Sequence, residues 1–473
     1  MHAGGYASLM TDAPLRDALA PVTARLKPEI EALFADLWRH PELPAMEHRT
    51  AAVLADFLAR HGFSVERGAG GVPTAFKATR RMGEGPRIGI LAEYDALPGL
   101  ANDAVPRRAP LLRERAGHAC GHNHIGPANC GAAIALADVA KRLELAGEIV
   151  VVGTPAEEIV WGKVALLKQG VFDGLDVVLT SHGDYQNGAL SRPCQSVLSG
   201  EIVFSGEAGH GGKPGVKNAL EAAEAFVAEA TALREAEFAD VALRHVIRVG
   251  GIMPSITPDE ARVWLTSRNV SFERAQDFYD RLVVLAADLA TRSHVTQRHQ
   301  PIAGTRGYLA NDVLARVLQS ALETVGLPAW SAEEEAFMAE LSRAVNPNAG
   351  LRLDRSLKLY DTGEDYYGQD DGEVSWRVPL GRVNWAYPED VTIHHWAWTA
   401  WSGHPGSGKG ALMATEALAL GGLALLAEPS KVAEARAELQ RRTRGLDITP
   451  PIVGAWRTLT TEPERFWDGT WVE

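Results

Sequence analysis

The chain has 473 residues, of which 46% are hydrophobic and 23% charged, so it is a globular type of sequence long enough for two or three domains. Its formal net charge of −13 comes without a clustered basic patch, which argues against a nucleic-acid partner. Three cysteines, Cys120, Cys130 and Cys194, are too few for a disulfide framework. Residues 1–22 show no basic region followed by an apolar core, so we expect a cytoplasmic protein.

The N-terminal part alternates helical and strand patterns. Residues 13–62 have helical spacing that breaks at Pro41 and stops at Gly62. Three short apolar runs predict buried strands, RIGILAEYDALPG, GEIVVVGTPAEE and LDVVLTSHG, and the run GAAIALADVAKRLELAG between the first two predicts a helix. Strands that alternate with helices predict an α/β domain with a mostly parallel sheet flanked by helices.

The pattern changes near residue 195. The runs SVLSGEIVFSGEAGH and RHVIRVGGIMPSITPDEARVWLTSRNV alternate like strands of a half-exposed sheet, and two helical runs accompany them. This order predicts a small α+β module with an antiparallel sheet. We therefore predict that residues 196–303 are inserted into an α/β domain formed by residues 1–195 and 304–473.

The C-terminal part contains a strand-like run, VTIHHWAWTAW, and a helix-like run, ALMATEALALGGLALLAE. We expect the second run to be a buried helix and not a membrane span, because its apolar stretch is too short to cross a bilayer and is interrupted by Glu416. Between the two runs, SGHPGSGKG at residues 402–410 fits the phosphate-loop pattern G-x-x-x-x-G-K. Gly410 stands where that pattern needs Ser or Thr to bind magnesium, so nucleotide binding is kept only as a remote alternative.

A dense group of candidate metal ligands lies in GHACGHNHIG. His118, Cys120, His122 and His124 alternate, and in an extended segment their side chains would share one face. Imidazole and thiolate suit zinc and neighbouring transition metals. The plainer alternative is a group of packing histidines that bind nothing.

Further candidate ligands stand where predicted strands end. GTPAEE ends in Glu157 and Glu158, which could divide metal binding and general-base catalysis between them. LDVVLTSHGD delivers His182, and VTIHHW delivers His394 or His395. Because open α/β sheets place their sites at strand ends, these segments predict one metal site.

These motifs, in this order, resemble peptidase family M20, a family of co-catalytic metallo-hydrolases. The chain is most similar to the HACGH-bearing branch, which includes the aminobenzoyl-glutamate utilisation protein B and auxin-conjugate hydrolase group. The resemblance extends over EYDALP, GTPAEE, DVVLTSHGD, GEAGHGG, PSITPDEARVWLTSR and DDGEVSWRVP. It implies a zinc-exopeptidase-like catalytic domain interrupted by a ferredoxin-like dimerisation or lid domain. It further implies a homodimer through residues 196–303, or a pairing with a related subunit.

The resemblance also implies a role for each site residue. Two divalent metal ions, zinc or manganese first and cobalt or nickel next, would be bound by Cys120, His122, Glu158, His182 and His394, with the cysteine touching both. Glu157 would be the general base for metal-bound water, and Asp95 would orient a metal ligand. His210 would stabilise the oxyanion in the partner's site, and Arg268 would bind a substrate carboxylate.

The implied reaction is hydrolysis of the amide bond in an N-acyl or N-aroyl amino acid, such as an aminobenzoyl-glutamate conjugate. Hydrolysis of another C–N bond, in an aromatic amine or a small xenobiotic amide, stays open because Ser255 replaces an asparagine of the relatives and because Arg268 could equally be a surface charge. Gly408, where the relatives have a histidine, is a further departure that bears on the substrate. Aromatic residues near the last ligand suit either an aryl pocket or core packing: Trp385, Tyr387, Trp396, Trp398 and Trp401.

Overall fold

The computed structural model describes residues 13–111, 115–358 and 366–473, so the first twelve residues of the segment expected to lack a signal lie outside the described part. Its strands are β1 Ser64–Arg67, β2 Phe76–Arg81, β3 Arg87–Glu93, β4 Glu148–Thr154, β5 Val177–Asp184, β6 Gly188–Leu190, β7 Ser196–Ser205, β8 Gly209–His210, β9 Ala242–Val249, β10 Ile256–Thr257, β11 Glu260–Asn269, β12 Thr296–Thr305 and β13 Leu380–Ala386.

The α-helices are α1 Ala13–Arg39, α2 His48–Arg60, α3 His122–Arg142, α4 Gly162–Lys168, α5 Ala219–Glu237, α6 Phe272–Arg292, α7 Asp312–Val325, α8 Ala332–Val345, α9 Asp371–Ser375, α10 Trp396–Ser402, α11 Gly408–Ala427, α12 Pro429–Arg442, α13 Trp456–Thr461 and α14 Pro463–Trp467. Three 3₁₀ turns span Ala69–Gly71, Glu157–Ile159 and Pro405–Ser407.

The part of the chain predicted to be catalytic, residues 1–195 and 304–473, is here called the catalytic part, and its described residues form a sheet of order β1-β2-β4-β3-β5-β13-β6. Its four central strands, β4, β3, β5 and β13, are parallel, and the strands outside them are antiparallel. Alternate side chains of the central strands enter two cores, so that Ile90 faces the helices α1, α3 and α11 while Leu91 faces α4 and the C-terminal segment. The predicted α/β fold with a mostly parallel sheet is confirmed.

Residues 196–303, the predicted insert, lie in a separate antiparallel sheet of order β12-β7-β11-β9. Helices α5 and α6 pack on one face of this sheet. The insert begins with Ser196, the first residue of β7, and its last strand, β12, continues to Thr305. A short hairpin of β8 and β10 projects beside it.

The strand predicted for VTIHHWAWTAW is wrong. The last strand of the large sheet is β13, formed by LGRVNWA, and Trp396 instead begins helix α10. Aromatic residues favour strands in isolation, but here the run packs as a helix against the core, which overrides the local preference. His394 therefore lies in the connection between β13 and α10.

The expectation about the apolar C-terminal run needs a correction as well. The helix over Pro405–Ala427 is apolar and long enough, by length and composition, to cross a membrane. In the protein, 78% of the most apolar stretch of this helix is buried, and α11 packs against α1, α3 and α7. It is a core helix of the catalytic part, as the buried-helix expectation required.

Candidate metal centre and active site

The HACGH segment turns sharply instead of running straight. Gly121 has φ of +82°, which an L residue adopts at a cost, and helix α3 begins at the next residue, His122. A Cβ at this position would also be crowded, since it would lie 3.1 Å from the Tyr387 hydroxyl. Cys120 and His122 lie on opposite sides of this turn and face the same cluster.

The expected common face of four alternating residues is therefore wrong for two of them. His118 Nε2 lies 3.2 Å from the Leu37 carbonyl, and His124 Nδ1 lies 2.9 Å from the Tyr387 hydroxyl. Burial lowers the pKa of both histidines to about 3, so both are neutral core residues. A helix turns by about 200° over two residues, which separates His124 from His122.

Asp95 connects two of the ligand-bearing segments. Its Oδ1 lies 2.9 Å from His122 Nδ1, and its Oδ2 accepts a 2.9 Å hydrogen bond from the Glu158 backbone N–H. This contact fixes the imidazole so that Nε2 points into the cluster. Asp95 follows β3 closely, so its position comes from the end of a central strand.

The two acids of GTPAEE lie on the 3₁₀ turn after β4. Ala156 and Val160, on either side of Glu157–Ile159, have φ of +57° and +51°, a left-handed conformation that is costly for residues with a Cβ. Such strain persists where the surroundings hold it in place, often at a functional site. The turn directs both Glu157 and Glu158 toward His122, and their carboxylate oxygens lie 3.7 and 3.9 Å from His122 Nε2.

Two further histidines complete the cluster. His182, near the end of β5, places Nε2 3.6 Å from the Cys120 sulfur. His394 places Nε2 3.3 Å from Glu158 Oε2, and its own φ of +58° is left-handed. His395, the other candidate, caps α10 by accepting a hydrogen bond from Ala397 N–H, so the structure places only His394 in the cluster.

All five ligands implied by the resemblance come together in space. Ligand atoms of Cys120, His122 and His182 lie within 4.8 Å of one another, and so do those of Cys120, Glu158 and His394. The Cys120 sulfur belongs to both groups. Two tetrahedral ligands of one zinc ion lie about 3.4 Å apart, close to the separations of the cluster.

The cluster also leaves buried polar atoms without hydrogen-bond partners among the described residues. They include His122 Nε2 and Glu158 Oε1. Burial opposes ionisation of the Cys120 thiol, but His122 and His182 lower its pKa to about 6, and His394 likewise lowers the pKa of Glu158. A thiolate, imidazoles and a carboxylate whose free atoms converge fit divalent transition-metal ions.

A cavity of about 170 Å³ opens above the cluster. Its lining includes Cys120, Glu157, Glu158, His182 and His394, together with one residue from the insert and several from the segment before α9. Arg268, at the end of β11, lies on the wall, and burial lowers the pKa of its guanidinium. Arg268 thus reaches the cavity of its own chain.

The aromatic wall of the cavity was only partly foreseen. Of the five predicted aromatic residues, Trp398 lines the cavity, while Trp385, Tyr387 and Trp401 are buried in the core and Trp396 packs at its edge. The other aromatic lining residues are Tyr185, Tyr366 and Tyr367. These tyrosines belong to no metal-ligand motif and to no helical pattern in the sequence, so the sequence analysis did not identify them.

The remaining predicted positions lie elsewhere. His210 is exposed on the β8–β10 hairpin and is not part of this cavity's lining, and Ser255 lies in the exposed loop before β10. A Cβ on Gly408 would lie 2.8 Å from Phe34 Cδ2, so this glycine is a packing position of α11 and not a substrate contact.

A buried lysine beside the cluster escaped the sequence analysis. Lys163 Nζ lies 2.8 Å from Glu93 Oε1 and 2.5 Å from Asp370 Oδ1, and all three residues are buried. Glu93 Oε2 lies 3.7 Å from His122 Nε2, and Lys163 lowers the pKa of Glu93 to about 2 against the effect of burial. Lys163 therefore joins the metal-type cluster to Asp370, next to the tyrosine-bearing wall.

Comparisons with known proteins identify the family of this chain. The profile of peptidase family M20/M25/M40 matches residues 89–358. A subunit of the p-aminobenzoyl-glutamate hydrolase of Escherichia coli (strain K12) is 27% identical over 439 residues, which are 86% of this chain and 91% of that protein.

Two solved structures share the fold. The aminobenzoyl-glutamate utilization protein of Klebsiella pneumoniae has a TM-score of 0.58 at 18% identity, covering 86% of this chain and 98% of that one. The Bacillus subtilis YXEP protein, described as a dinuclear metal binding peptidase from the M20 family, has a TM-score of 0.55 at 18% identity, covering 86% and 99%.

Proposed function

The chain belongs to peptidase family M20/M25/M40 and is a hydrolase of amide bonds, and we propose that it uses two divalent metal ions to cleave an N-acyl or N-aroyl amino acid. The observation that carries the proposal is the position of the Cys120 sulfur. It is shared between one ligand group with His122 and His182 and another with Glu158 and His394. The dinuclear peptidase of Bacillus subtilis, which has the same fold, supports this interpretation.

The donor set fits the ions, and it limits which ions to test. Sulfur and imidazole nitrogen favour zinc, whereas the carboxylates also accept manganese, cobalt or nickel. When bound by these residues, two such ions would supply Lewis-acid chemistry for amide hydrolysis. Asp95 would keep His122 in the ligating orientation through the 2.9 Å contact to Nδ1.

Glu157 is the residue we assign to proton transfer. It lies on the cavity lining beside the ligand Glu158, and burial together with Glu93 raises its pKa well above the usual range. It would take a proton from the attacking water and give it to the departing nitrogen, so that one carboxylate serves both steps. The left-handed residues on either side of its turn hold it in that place.

Two features of the cavity wall support the proposed substrate class. Arg268 offers a fixed cation for the carboxylate of an amino-acid product, and the aromatic residues offer flat surfaces for an acyl or aroyl group. The aminobenzoyl-glutamate hydrolase of Escherichia coli, whose subunit is similar to this chain, supports an aroyl-amino-acid substrate. Since Arg268 lies in the cavity of its own chain, carboxylate recognition would need no second copy.

A second copy, or a related chain such as the subunit organisation of that relative suggests, would supply His210. This histidine is exposed, away from its own cavity, next to the exposed apolar residues Ile252, Met253 and Ile256. We propose that it donates a hydrogen bond to the oxyanion in a partner's site. Mixing His210→Ala with Glu157→Gln should restore activity that neither variant has alone, and no restoration would remove the proposal for His210.

The proposed function is tested with a matched pair of substrates. Protein loaded with zinc or manganese is assayed on p-aminobenzoyl-glutamate and on p-aminobenzoyl-butylamide, which keeps the aroyl amide and lacks both carboxylates. We expect turnover of the first only, and Arg268→Met should raise its KM about tenfold with a smaller change in kcat. Equal turnover of both amides, unaffected by Arg268→Met, would instead favour hydrolysis of a simple aromatic amide.

A further inference from the structure

Strand β7, in the middle of the insert sheet, is buried on both faces, although the helices of the insert cover only one face. Leu198, Ile202 and Val263 pack toward α5 and α6. The residues that alternate with them along each strand point to the opposite face of the sheet. Nine of the ten residues of β7 are nonetheless buried, so this second face is covered as well. The second cover is the end of the chain, residues 447–473, here named the C-terminal strap.

The strap pairs the polar groups of that second face. The Trp471 carbonyl accepts hydrogen bonds from Arg262 Nη1 at 2.7 Å and Gln300 Nε2 at 3.3 Å. Arg248 Nη2 donates to the carbonyls of Phe466 and Trp467. Because buried donors without partners are costly, removing the strap would leave this face of the insert unsatisfied.

Aromatic packing then joins the insert to the catalytic part. The Trp264 ring on β11 lies 5.4 Å from Phe466 and 6.5 Å from Trp467. The indole of Trp467 donates a 3.0 Å hydrogen bond to the Pro44 carbonyl, before α2. The strap is thus held between β11 of the insert and the N-terminal region of the catalytic part.

The other end of the strap reaches the turn that carries Glu157. The Gly454 N–H donates to the Ile302 carbonyl of β12, and the Gly454 carbonyl accepts a 2.9 Å hydrogen bond from the Trp161 indole. The rings of Trp161 and Trp456 lie 5.6 Å apart. Trp161 comes just after the strained residue Val160, so the strap supports the end of the Glu157–Ile159 turn.

We propose that the C-terminal strap positions the active site through two contacts, one with β11 and one with the Glu157–Ile159 turn. On β11, Arg262, Trp264 and Arg268 share one face because side chains alternate along a strand. The strap contacts Arg262 and Trp264, and Arg268 lies on the same face of the strand and lines the cavity. Its other end holds the turn that bears the general base. The inference rests on the proposed function for the roles of Arg268 and Glu157.

Three tryptophan variants separate the two contacts from a general loss of stability. Trp467→Leu loosens the β11 contact, and we expect KM for the carboxylate substrate to rise about tenfold with kcat within about twofold. Trp456→Leu loosens the Trp161 contact, and we expect kcat to fall about tenfold with a smaller change in KM. Trp330→Leu is the control. Like Trp467, Trp330 is half-buried and its indole donates a hydrogen bond to one carbonyl, that of Gly406, but it lies outside the strap and the cavity.

The control should lower Tm while leaving KM and kcat unchanged. Metal content, measured by elemental analysis, should equal that of the wild type in all three variants. A fall in kcat/KM that merely follows Tm, in the control as in the strap variants, would overturn the proposal. If the leucine variants do not fold, two phenylalanine variants are measured in the same way. Trp467→Phe removes the indole hydrogen bond to Pro44 and part of the ring, and Trp456→Phe removes part of the ring that contacts Trp161.

Amide hydrogen exchange on the full chain tests the strap without using turnover. We expect faster exchange at residues 266–269 in Trp467→Leu and at residues 157–161 in Trp456→Leu, with neither change in the control. Faster exchange confined to the strap itself would overturn the proposal. Because this measurement needs no substrate, an absence of amidase activity would count against the proposed function and not against the strap.

Discussion

Two regions of this protein look like functional motifs in the sequence, and the structure separates them. The cluster around Cys120 brings ligand atoms from four segments within 4.8 Å of its sulfur and leaves two of them, His122 Nε2 and Glu158 Oε1, without hydrogen-bond partners among the described residues. The glycine-rich segment 402–410 does the opposite. Lys409 Nζ lies 2.6 Å from Glu334 Oε2 and donates to the Ala329 carbonyl, so its charge is already paired.

The glycines of the two regions differ in the same way. A Cβ on Gly410 would lie 2.4 Å from Trp385 Cδ1, and Gly408 is packed against Phe34, so these glycines allow helix α11 to approach the core. No backbone loop is left in this described segment to surround a phosphate. A binding site keeps polar atoms free for its ligand, whereas a packing motif satisfies them internally.

The largest expected effect comes from removing the shared ligand. Cys120→Ala should lose bound metal and at least about 10⁴-fold in kcat/KM, because both ligand groups contain this sulfur. Elemental analysis and an amide assay measure the two losses. Cys130→Ala, at a buried cysteine outside the cluster, is the control and should retain its metal. Full metal content in Cys120→Ala would contradict the site.

The next effect separates metal binding from proton transfer. Glu157→Gln should keep its metal and lose about 10³-fold in kcat, because the amide cannot accept a proton. Glu158→Gln, one residue away, should lose metal as well. Equal activity of Glu157→Gln and wild type would remove the mechanism while leaving the metal site standing.

A smaller effect is expected on folding from the lysine beside the cluster. Lys163→Met should lower the free energy of unfolding by about 3–5 kcal/mol, because it leaves the buried carboxylates of Glu93 and Asp370 without their cation. Urea unfolding with the metal removed measures this loss. The double variant with Asp370→Asn should recover part of it, and no recovery would contradict the ion pair as the cause.

The smallest effect is expected in the glycine-rich segment. Lys409→Ala breaks a partly exposed ion pair with Glu334, which is worth about 0.2–1 kcal/mol, and should leave kcat/KM unchanged. Titration with magnesium and ATP should show no binding to wild type or variant. Tight magnesium-dependent binding that Lys409→Ala abolishes would reverse the comparison between the two regions.

Much of the fold was predictable because it depends on local patterns. Apolar runs such as those of β3, β4 and β5 alternate with helical periodicity, and that order specifies a mostly parallel sheet. The error at VTIHHWAWTAW shows the limit of such patterns. Aromatic residues suit both strands and buried helices, and packing against the core decided for α10.

The site was predictable motif by motif, since each segment ends in residue types suited to metal binding. The partners of Lys163 were not, because Asp370 is 207 residues away and neither residue belongs to a ligand pattern. The strap is a similar case. Its tryptophans suggest only burial, and what they cover depends on the fold of the insert.

The sequence by itself determined which chemical groups are available: thiolate and imidazole in the HACGH segment, carboxylate and imidazole at the ends of predicted strands, and an amide-hydrolase resemblance in their order. Only the tertiary structure decided which of these groups meet. It excluded His118 and His124, which are held in the core on either side of the turn at Gly121, and it placed His394 and not His395 in the cluster. The physical reason is that ligand geometry is fixed by backbone turns and strand ends that are distant in sequence.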